Sequence, residues 1–122
     1  MQHTHIDRAI DYIEFTAPDL PIIKKFYGDV FGWGFQDWGD EYVSFSDGRV
    51  DGGFSRGAAP ASETKTGSGP LVILYSSGLE AIQEKVKASG GSITKDTFSF
   101  PGGRRFHFAD PAGNELAVWS DK

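Results

Sequence analysis

The sequence contains no cysteine, and this absence removes several kinds of chemistry at once. Disulfides, thiolate metal sites and cysteine nucleophiles are all excluded. No apolar stretch approaches the roughly 20 residues that a membrane-spanning helix needs. The first residues are polar and lack the apolar region of a secretory signal peptide, so we expect a cytoplasmic protein with no membrane partner.

Positive charge is also scarce. Twelve Lys and Arg stand against 17 Asp and Glu, which gives a net charge of −5. The nearest approach to a basic stripe is the pair Lys24-Lys25 or the pair Arg104-Arg105, and a pair is too short to follow a phosphate backbone. We therefore expect no nucleic-acid partner.

Glycine and aromatic residues, by contrast, are plentiful. The chain has 16 Gly and 10 Phe in 122 residues, a composition that favours many short strands and turns over long helices. One set of aromatic residues is too large for a core under two short helices, and we expect part of it to line a ligand cavity or a dimer interface. Its members are Phe35, Trp38, Tyr42, Phe54, Phe98, Phe100 and Trp119.

The first half of the chain predicts one helix among four strands. Residues 10–17 alternate as a strand does. Asp19 as N-cap and Gly32 as C-cap then bracket an apolar helical stripe. Three short strands are expected to follow, at residues 33–38, 41–46 and 50–55. Gly52-Gly53 in the last of them indicates a bulge or a close backbone approach.

The second half repeats this pattern after a stretch without apolar periodicity at residues 56–69, which predicts a linker or a mobile loop. A strand, a helix and three further strands are expected at residues 71–75, 78–90, 92–100, 104–109 and 115–119. Leu79 follows Leu20 by 59 residues, and Gly91 follows Gly32 by the same 59, as expected of an internal duplication. We predict a single domain over residues 1–122, with modules at about 8–55 and 70–120.

The last strand is preceded by a strong turn signal, Asp110-Pro111-Ala112-Gly113-Asn114. Proline presets one backbone angle, glycine can take a positive φ, and the short polar side chains can bond to nearby backbone groups. The alternating residues up to Trp119 then predict a closing strand.

Three segments together resemble the vicinal oxygen chelate superfamily, which includes glyoxalase, bleomycin-resistance and extradiol dioxygenase proteins. They are Asp19-Leu20 followed by Lys25-Phe26-Tyr27 and Val30 to Trp33, Gly78-Leu79 running to Ala88 to Gly91, and Phe108 to Asn114. The resemblance implies an α+β fold. Two tandem βαβββ modules would form a curled mixed sheet around a cavity, with the helices outside, and homodimers are frequent.

The resemblance also implies where a divalent metal would be held, and this sequence departs from that pattern. The ligands would come from the first and last strand of each module, where this chain has Tyr12, Leu71, Ala117 and the segment from Gly52 to Phe54. Leu71 and Ala117 cannot coordinate a metal. We therefore expect no metal ligands and no cofactor, and the metal-dependent activities of the superfamily are not expected to transfer.

Two residues are candidates for catalysis, Glu14 and His107. Either could act as a general base, and Glu14 is equally well explained as a cavity-wall carboxylate paired with Arg or Tyr. His107 and Arg105 share one face of a strand. They are interpreted as partly exposed strand residues or as cavity residues that bind an anionic or carbonyl group, and a third alternative is a role in a rebuilt metal site, for which Glu14, His107 and Glu115 are the candidates. Glu115 is expected at a strand end in solvent.

The leading hypothesis is a metal-free small-molecule-binding protein with an aromatic-lined cavity for a planar ligand. An enzyme of the same superfamily, a lyase or isomerase with a non-standard site, is the alternative. A module that functions through its dimer surface is a third. The predicted ligand-binding residues are Tyr12, Glu14, Trp38, Tyr42, Phe54, Tyr75, Arg105, His107 and Trp119.

Overall fold

The computed structural model describes residues 5–57 and 70–122. The chain divides into two compact units, unit one up to residue 60 and unit two from residue 61. Most of the predicted leader and linker, residues 1–4 and 58–69, lies outside the described residues.

Unit one is a βαβββ module with one helix and a four-stranded mixed sheet. Its elements are β1 (Tyr12–Ala17), α1 (Leu20–Phe31), β2 (Gly34–Asp37), β3 (Tyr42–Ser46) and β4 (Asp51–Arg56). The strand order is β1-β4-β3-β2, so the first and last strands of the unit are neighbours. They pair in parallel, whereas β2, β3 and β4 pair antiparallel.

Helix α1 begins and ends at the predicted caps. The side chain of Asp19 accepts a hydrogen bond from the backbone nitrogen of Ile22 at 3.1 Å, which satisfies one free donor of the first turn. Gly32 adopts a left-handed conformation with φ of 74°, which costs glycine little. The buried stripe of α1 packs five side chains inward: Leu20, Ile23, Phe26, Tyr27 and Val30.

Stacked aromatic rings fill the space between α1 and its sheet. The Tyr27 ring lies 4.5 Å from that of Trp33 and 5.5 Å from that of Phe54. Trp33 in turn stacks on Phe45 at 4.4 Å. Because Tyr27 and Phe54 are fully buried, this face of the sheet is the core, whereas Tyr12 on the opposite, open face is 44% exposed.

Unit two repeats the module. Its elements are β5 (Val72–Tyr75), α2 (Leu79–Ala88), β6 (Ser92–Phe100), β7 (Gly103–Ala109) and β8 (Glu115–Ser120). The strand order β5-β8-β7-β6 matches that of unit one. Its core contains fewer aromatic rings than that of unit one and is mostly aliphatic. The large, fully buried hydrophobic side chains are Leu79, Val86, Phe106, Phe108, Leu116 and Val118.

The predicted turn before β8 has the expected local bonds. One oxygen of Asp110 accepts hydrogen bonds from the backbone nitrogens of Ala112 at 2.9 Å and Asn114 at 3.0 Å. Gly113 takes a φ of 93°. The turn is therefore held by its own side chain and delivers the chain directly into β8.

The predicted α+β class and the tandem βαβββ modules are confirmed, with element ends within two residues of those expected. Each module has its own open sheet, and the shared cavity implied by the resemblance stays a prediction. The sequence did not indicate that β6 shifts register against β7 on both sides of Lys95. No helix among the described residues is long and apolar enough to cross a membrane.

Candidate functional site

The open face of the unit-one sheet carries a network of two tyrosines, a carboxylate and a serine. The hydroxyls of Tyr12 on β1 and Tyr42 on β3 lie 2.5 Å apart. Tyr42 donates to one oxygen of Glu14 at 3.3 Å, and Ser55 donates to the other at 3.3 Å. Three strands therefore meet in one hydrogen-bonded group, although directly bonded residues are up to 41 positions apart in sequence.

Gly53 makes this arrangement possible because both phenols lie over it. A Cβ atom at this position would stand 2.1 Å from the Tyr42 hydroxyl and 2.8 Å from that of Tyr12. On the core face, a Cβ at Gly52 would meet the carbonyl oxygen of Ile13 at 2.2 Å. The register of β4 is continuous, so of the two expectations for Gly52-Gly53 the close approach is confirmed and the bulge is wrong.

Beside the network lies an open groove of about 760 Å³. The indole of Trp38 is 59% exposed at this groove, and its nitrogen donates to the hydroxyl of Ser44 at 3.0 Å. An exposed ring held in a fixed orientation offers a face on which a planar group can stack. The groove is lined by Tyr12, Gly34, Phe35, Gln36, Trp38, Tyr42, Ser44, Phe45, Ser46 and Asp51.

The network holds Tyr42 in its protonated form. Burial raises the pKa of Tyr42, and the hydrogen bond to Tyr12 and the charge of Glu14 raise the pKa further. A phenol in this position is a hydrogen-bond donor and acceptor, not a base.

A second polar group lies on the sheet of unit two. Nδ1 of His107 on β7 is 3.5 Å from an oxygen of Glu115 on β8, and Thr94 donates to the same oxygen at 2.8 Å. The His107 and Glu115 side chains are 13% and 18% exposed. Glu115 begins β8 and so lies at a strand end as expected, but the expectation that it lies in solvent is wrong. It pairs with Ala109, two residues from His107 on β7, and this register brings the two side chains together.

Burial lowers the pKa of His107, and the neighbouring positive charge of Arg105 lowers the pKa further, whereas Glu115 opposes both. The imidazole is thus favoured in its neutral form. With Nδ1 directed at a carboxylate, its other nitrogen presents a lone pair. That nitrogen, Nε2, is buried and has no hydrogen-bond partner in the described part of the chain.

Aromatic rings surround Arg105 on the same sheet. Its guanidinium carbon lies 5.3 Å from the centre of the Phe98 ring and 5.8 Å from that of Phe100, within cation–π range. Nε of Arg105 is buried and lacks a hydrogen-bond partner among residues 5–57 and 70–122. Trp119 extends the ring cluster, 6.4 Å from Phe100 and 5.2 Å from Tyr75.

The predicted ligand-binding residues are thus divided between two sheets. Unit one brings together Tyr12, Glu14, Trp38 and Tyr42, and unit two brings together Tyr75, Arg105, His107 and Trp119. Phe54 is a correction: it is fully buried and stacks on Phe15 at 5.2 Å, because alternation along β4 turns it toward α1. Sequence reasoning missed Ser44 and Ser55 as site residues, and alternation from Tyr42 along β3 could have found the former.

The residues at the metal positions implied by the resemblance do not fit a metal. Ala117 is fully buried and has no donor atom, Leu71 is aliphatic, and the Tyr12 hydroxyl is bonded to Tyr42. Gly53 likewise offers no side chain. Among the described residues, no three His, Cys, Asp or Glu side chains converge in a way that could hold a metal ion.

Comparison with known proteins agrees with this fold. The model of the Glyoxalase/Bleomycin resistance protein/Dioxygenase superfamily matches residues 9–118. No curated protein gives a significant match.

Solved structures match almost the whole chain at low sequence identity. The fosfomycin resistance protein FosX from Mesorhizobium loti matches with a TM-score of 0.78 at 14% identity, over 94% of this chain and 93% of that one. Lactoylglutathione lyase from Agrobacterium tumefaciens matches with a TM-score of 0.70 at 22% identity, over 94% and 95%. A glyoxalase-related enzyme from Fulvimarina pelagi gives 0.75 at 19%, over 93% and 88%. Likeness at these identities shows the fold alone.

Proposed function

Because the chain belongs to the Glyoxalase/Bleomycin resistance protein/Dioxygenase superfamily, we propose that it binds a planar or aromatic small molecule without a metal. The groove on the open face of the unit-one sheet is the proposed binding site. The observation that carries this proposal is the indole of Trp38, which is exposed beside the groove and held by Ser44. A protein that sequesters its ligand needs this kind of preformed surface and no reactive group.

The groove has both parts that recognition of a planar molecule requires. Trp38 provides an apolar face, and aromatic stacking adds to the free energy of area burial. The hydroxyls of Tyr12, Tyr42 and Ser44 line the same groove and can orient a polar substituent. Hydrogen bonds already restrain Tyr12, Tyr42, Ser44 and Trp38, so little side-chain entropy remains to be lost on binding.

The residues at the family's ligand positions support the proposed independence from metal. The side chains of alanine, glycine and leucine have no atoms that can coordinate a metal. A metal held at those positions for Lewis-acid catalysis would therefore lack ligands. Elemental analysis of the purified protein tests this point. A stoichiometric divalent ion that survives dialysis would contradict it.

A ligand-binding measurement with 2-naphthol as the planar probe tests the site. Trp38→Ala is expected to weaken binding by about tenfold because it removes the stacking face. Ile22→Ala is the matched control, since Ile22 is a 52% exposed apolar residue on α1, away from the open face of the sheet. Equal affinity in the two variants would exclude the groove.

A second candidate function, that of a lyase or isomerase, is favoured by the pair His107 and Glu115. A neutral imidazole oriented by a carboxylate is the arrangement of a general base, and the buried Nε2 has no other described use. Exchange of the α-protons of dihydroxyacetone in D2O, followed by NMR, tests this function. An exchange rate unchanged in His107→Gln would dismiss His107 as the base.

The homodimer implied by the resemblance is also proposed, as is a cytoplasmic location. Analytical ultracentrifugation across a range of protein concentrations decides the first. A single species at the monomer mass of 13.3 kDa would contradict it.

A further inference from the structure

We infer that the sheet of unit two holds a second binding site, at Arg105 and His107, for an aromatic hydroxy acid. Arg105 binds the carboxylate of this ligand, His107 accepts a hydrogen bond from its hydroxyl group, and neighbouring rings pack against its aromatic body. The inference does not depend on the proposed unit-one groove, because every residue that carries it lies in unit two.

Two polar atoms on β7 are buried without a hydrogen bond. Nε of Arg105 and Nε2 of His107 have no such partner anywhere in the described ranges of the chain. A buried polar group without a partner lowers stability, so packing alone does not account for the pair. Nε of Arg105 is a donor on a cation, whereas Nε2 of a neutral imidazole is an acceptor. Together they match a ligand that has an anionic acceptor and a neutral donor.

Glu115 determines the part that His107 plays. Its carboxylate lies 3.5 Å from Nδ1 of His107 and also accepts a hydrogen bond from Thr94 at 2.8 Å. A proton on Nδ1 directed at this carboxylate leaves the lone pair on Nε2. Burial and the charge of Arg105 lower the pKa of His107, which favours this neutral form at pH 7. His107 therefore accepts from a hydroxyl group and does not compete with Arg105 for the carboxylate.

The charges around the pair favour an anion. Arg105 and Lys95 are the two cations that act on His107, and Glu115 is the one carboxylate among the described residues that does so. The ion pairs formed between described residues do not include Arg105. A carboxylate ligand thus meets a guanidinium whose planar fork is free to bind it.

Aromatic rings beside Arg105 provide the apolar part of the site. The ring centre of Phe100 lies 5.8 Å from the guanidinium carbon, and Trp119 lies 6.4 Å from Phe100. Tyr75 is 50% exposed, and its hydroxyl donates to Asp121 at 2.6 Å, which restrains the ring. A benzene ring whose carboxylate is bound by Arg105 can therefore pack against a restrained aromatic surface.

Phe98 is the side chain that lies next to both polar atoms. Its ring centre is 5.9 Å from that of His107 and 5.3 Å from the guanidinium carbon of Arg105. The strand is irregular here, because β6 shifts register against β7 between Lys95 and Phe98. Rotation of the half-buried Phe98 side chain gives a ligand access to the two atoms.

Isothermal titration near pH 7 with three benzene derivatives of nearly equal shape tests the inference. 4-Hydroxybenzoate carries both polar groups, 4-hydroxybenzamide lacks the charge, and 4-methoxybenzoate lacks the hydroxyl donor. Groups at opposite ends of one ring suit positions two residues apart on a strand, which are separated by about 7 Å. We expect 4-hydroxybenzoate to bind about tenfold more tightly than the amide and about fivefold more tightly than the methoxy acid.

Two neighbouring arginines provide a matched pair of variants. Arg105→Gln should weaken 4-hydroxybenzoate binding by about tenfold and leave the affinity for the amide nearly unchanged. Arg104→Gln makes the same change of charge on the opposite face of β7, where Arg104 is paired with Glu80, and should keep the full affinity. His107→Phe should remove the advantage of 4-hydroxybenzoate over the methoxy acid. If Arg105→Gln melts early, Arg105→Lys replaces it, with an expected loss of about threefold.

Several results would overturn the inference. Equal affinity for 4-hydroxybenzoate and either of the other two compounds would do so, as would equal losses in Arg105→Gln and Arg104→Gln. Failure of all three compounds to bind would also overturn it and would leave 2-naphthol binding to the unit-one groove unaffected. Weaker 4-hydroxybenzoate binding by Trp38→Ala would assign this ligand to the groove and would equally overturn the second site.

Discussion

The two units have the same frame, yet the sheet faces that point away from their helices carry different side chains. Glu14 opposite Gly53 in unit one corresponds to Ile73 opposite Ala117 in unit two. On the same face, the β3–β4 pair of unit one has tyrosine and serine, and the β7–β8 pair of unit two has arginine, histidine and tryptophan. In unit one Tyr42 is opposite Ser55 and Ser44 is opposite Gly53. In unit two Arg105 is opposite Trp119 and His107 is opposite Ala117.

The difference shows which part of a duplicated module is free to change. Strand order, parallel first-to-last pairing and helix position are shared, because these depend on alternation and on a buried helix face. The open face contributes little to that frame, so its side chains can be replaced as a set. Unit one has become acidic and acceptor-rich, whereas unit two has gathered Arg105, His107 and Lys95. The two sheet faces can therefore have different functions.

The largest expected effect is a loss of stability, and it distinguishes a core residue from a groove residue. Phe54→Ala should lower the free energy of unfolding by about 3–5 kcal/mol, because it opens a cavity among stacked rings. Val118→Ala, at the equivalent position of β8, removes fewer atoms and should cost less. Chemical denaturation measures both. If Phe54→Ala lowered the free energy of unfolding by less than about 1 kcal/mol and also weakened 2-naphthol binding, Phe54 would be a ligand-binding residue and not a core residue.

The next effect concerns Gly53, whose counterpart in unit two has a Cβ atom. Gly53→Ala should displace the Tyr12 and Tyr42 rings and cost about 1–3 kcal/mol of stability, with loss of probe binding. Ala117→Gly is the reciprocal change and should cost about 0.5–1 kcal/mol through backbone entropy. Unfolding and titration are measured on the same samples. Undiminished probe binding by Gly53→Ala would mean that the phenols do not form part of the site.

Helix capping gives a smaller difference between the units. Asp19→Ala should cost about 1 kcal/mol, since Asp19 bonds the first turn of α1. Gly78, the N-cap of α2, makes no such side-chain bond and has space for a Cβ atom. Gly78→Asp should therefore stabilise unit two, by up to about 1 kcal/mol. Thermal unfolding tests the pair, and a destabilised Gly78→Asp would contradict the comparison.

The smallest expected effect is a pH dependence that arises in unit two. The pKa of His107 is lowered in the folded state from its usual 6.5, so the unfolded chain binds a proton first as pH falls. His107 should thus contribute stability fully above about pH 6.5, and this contribution should be lost from there down to its folded pKa. His107→Gln should flatten the stability profile in this window, with exposed His5→Gln as the control. An identical slope in both variants would contradict the burial argument.

Local features of the fold could be predicted from the sequence, because neighbouring residues form them. Asp19 and Gly32 bracket α1, and Asp110 closes its own turn, through bonds that span five residues or fewer. Alternation was also sufficient to group Tyr12 with Glu14 on one face of β1. Residue type alone is misleading at Phe54, because its aromatic ring predicts a cavity wall whereas the alternation of β4 turns it toward α1.

What the sequence determined by itself is the frame: the helix and strand periods, their caps and turns, the duplication, and the absence of donors at Leu71 and Ala117. Tertiary structure alone decided which side chains meet. Tyr12 and Tyr42 are 30 residues apart and touch because β4 lies between their strands with a glycine beneath both rings. Glu115 lies against His107, mostly shielded from solvent, for the same reason, a strand register that depends on the packing of the whole sheet.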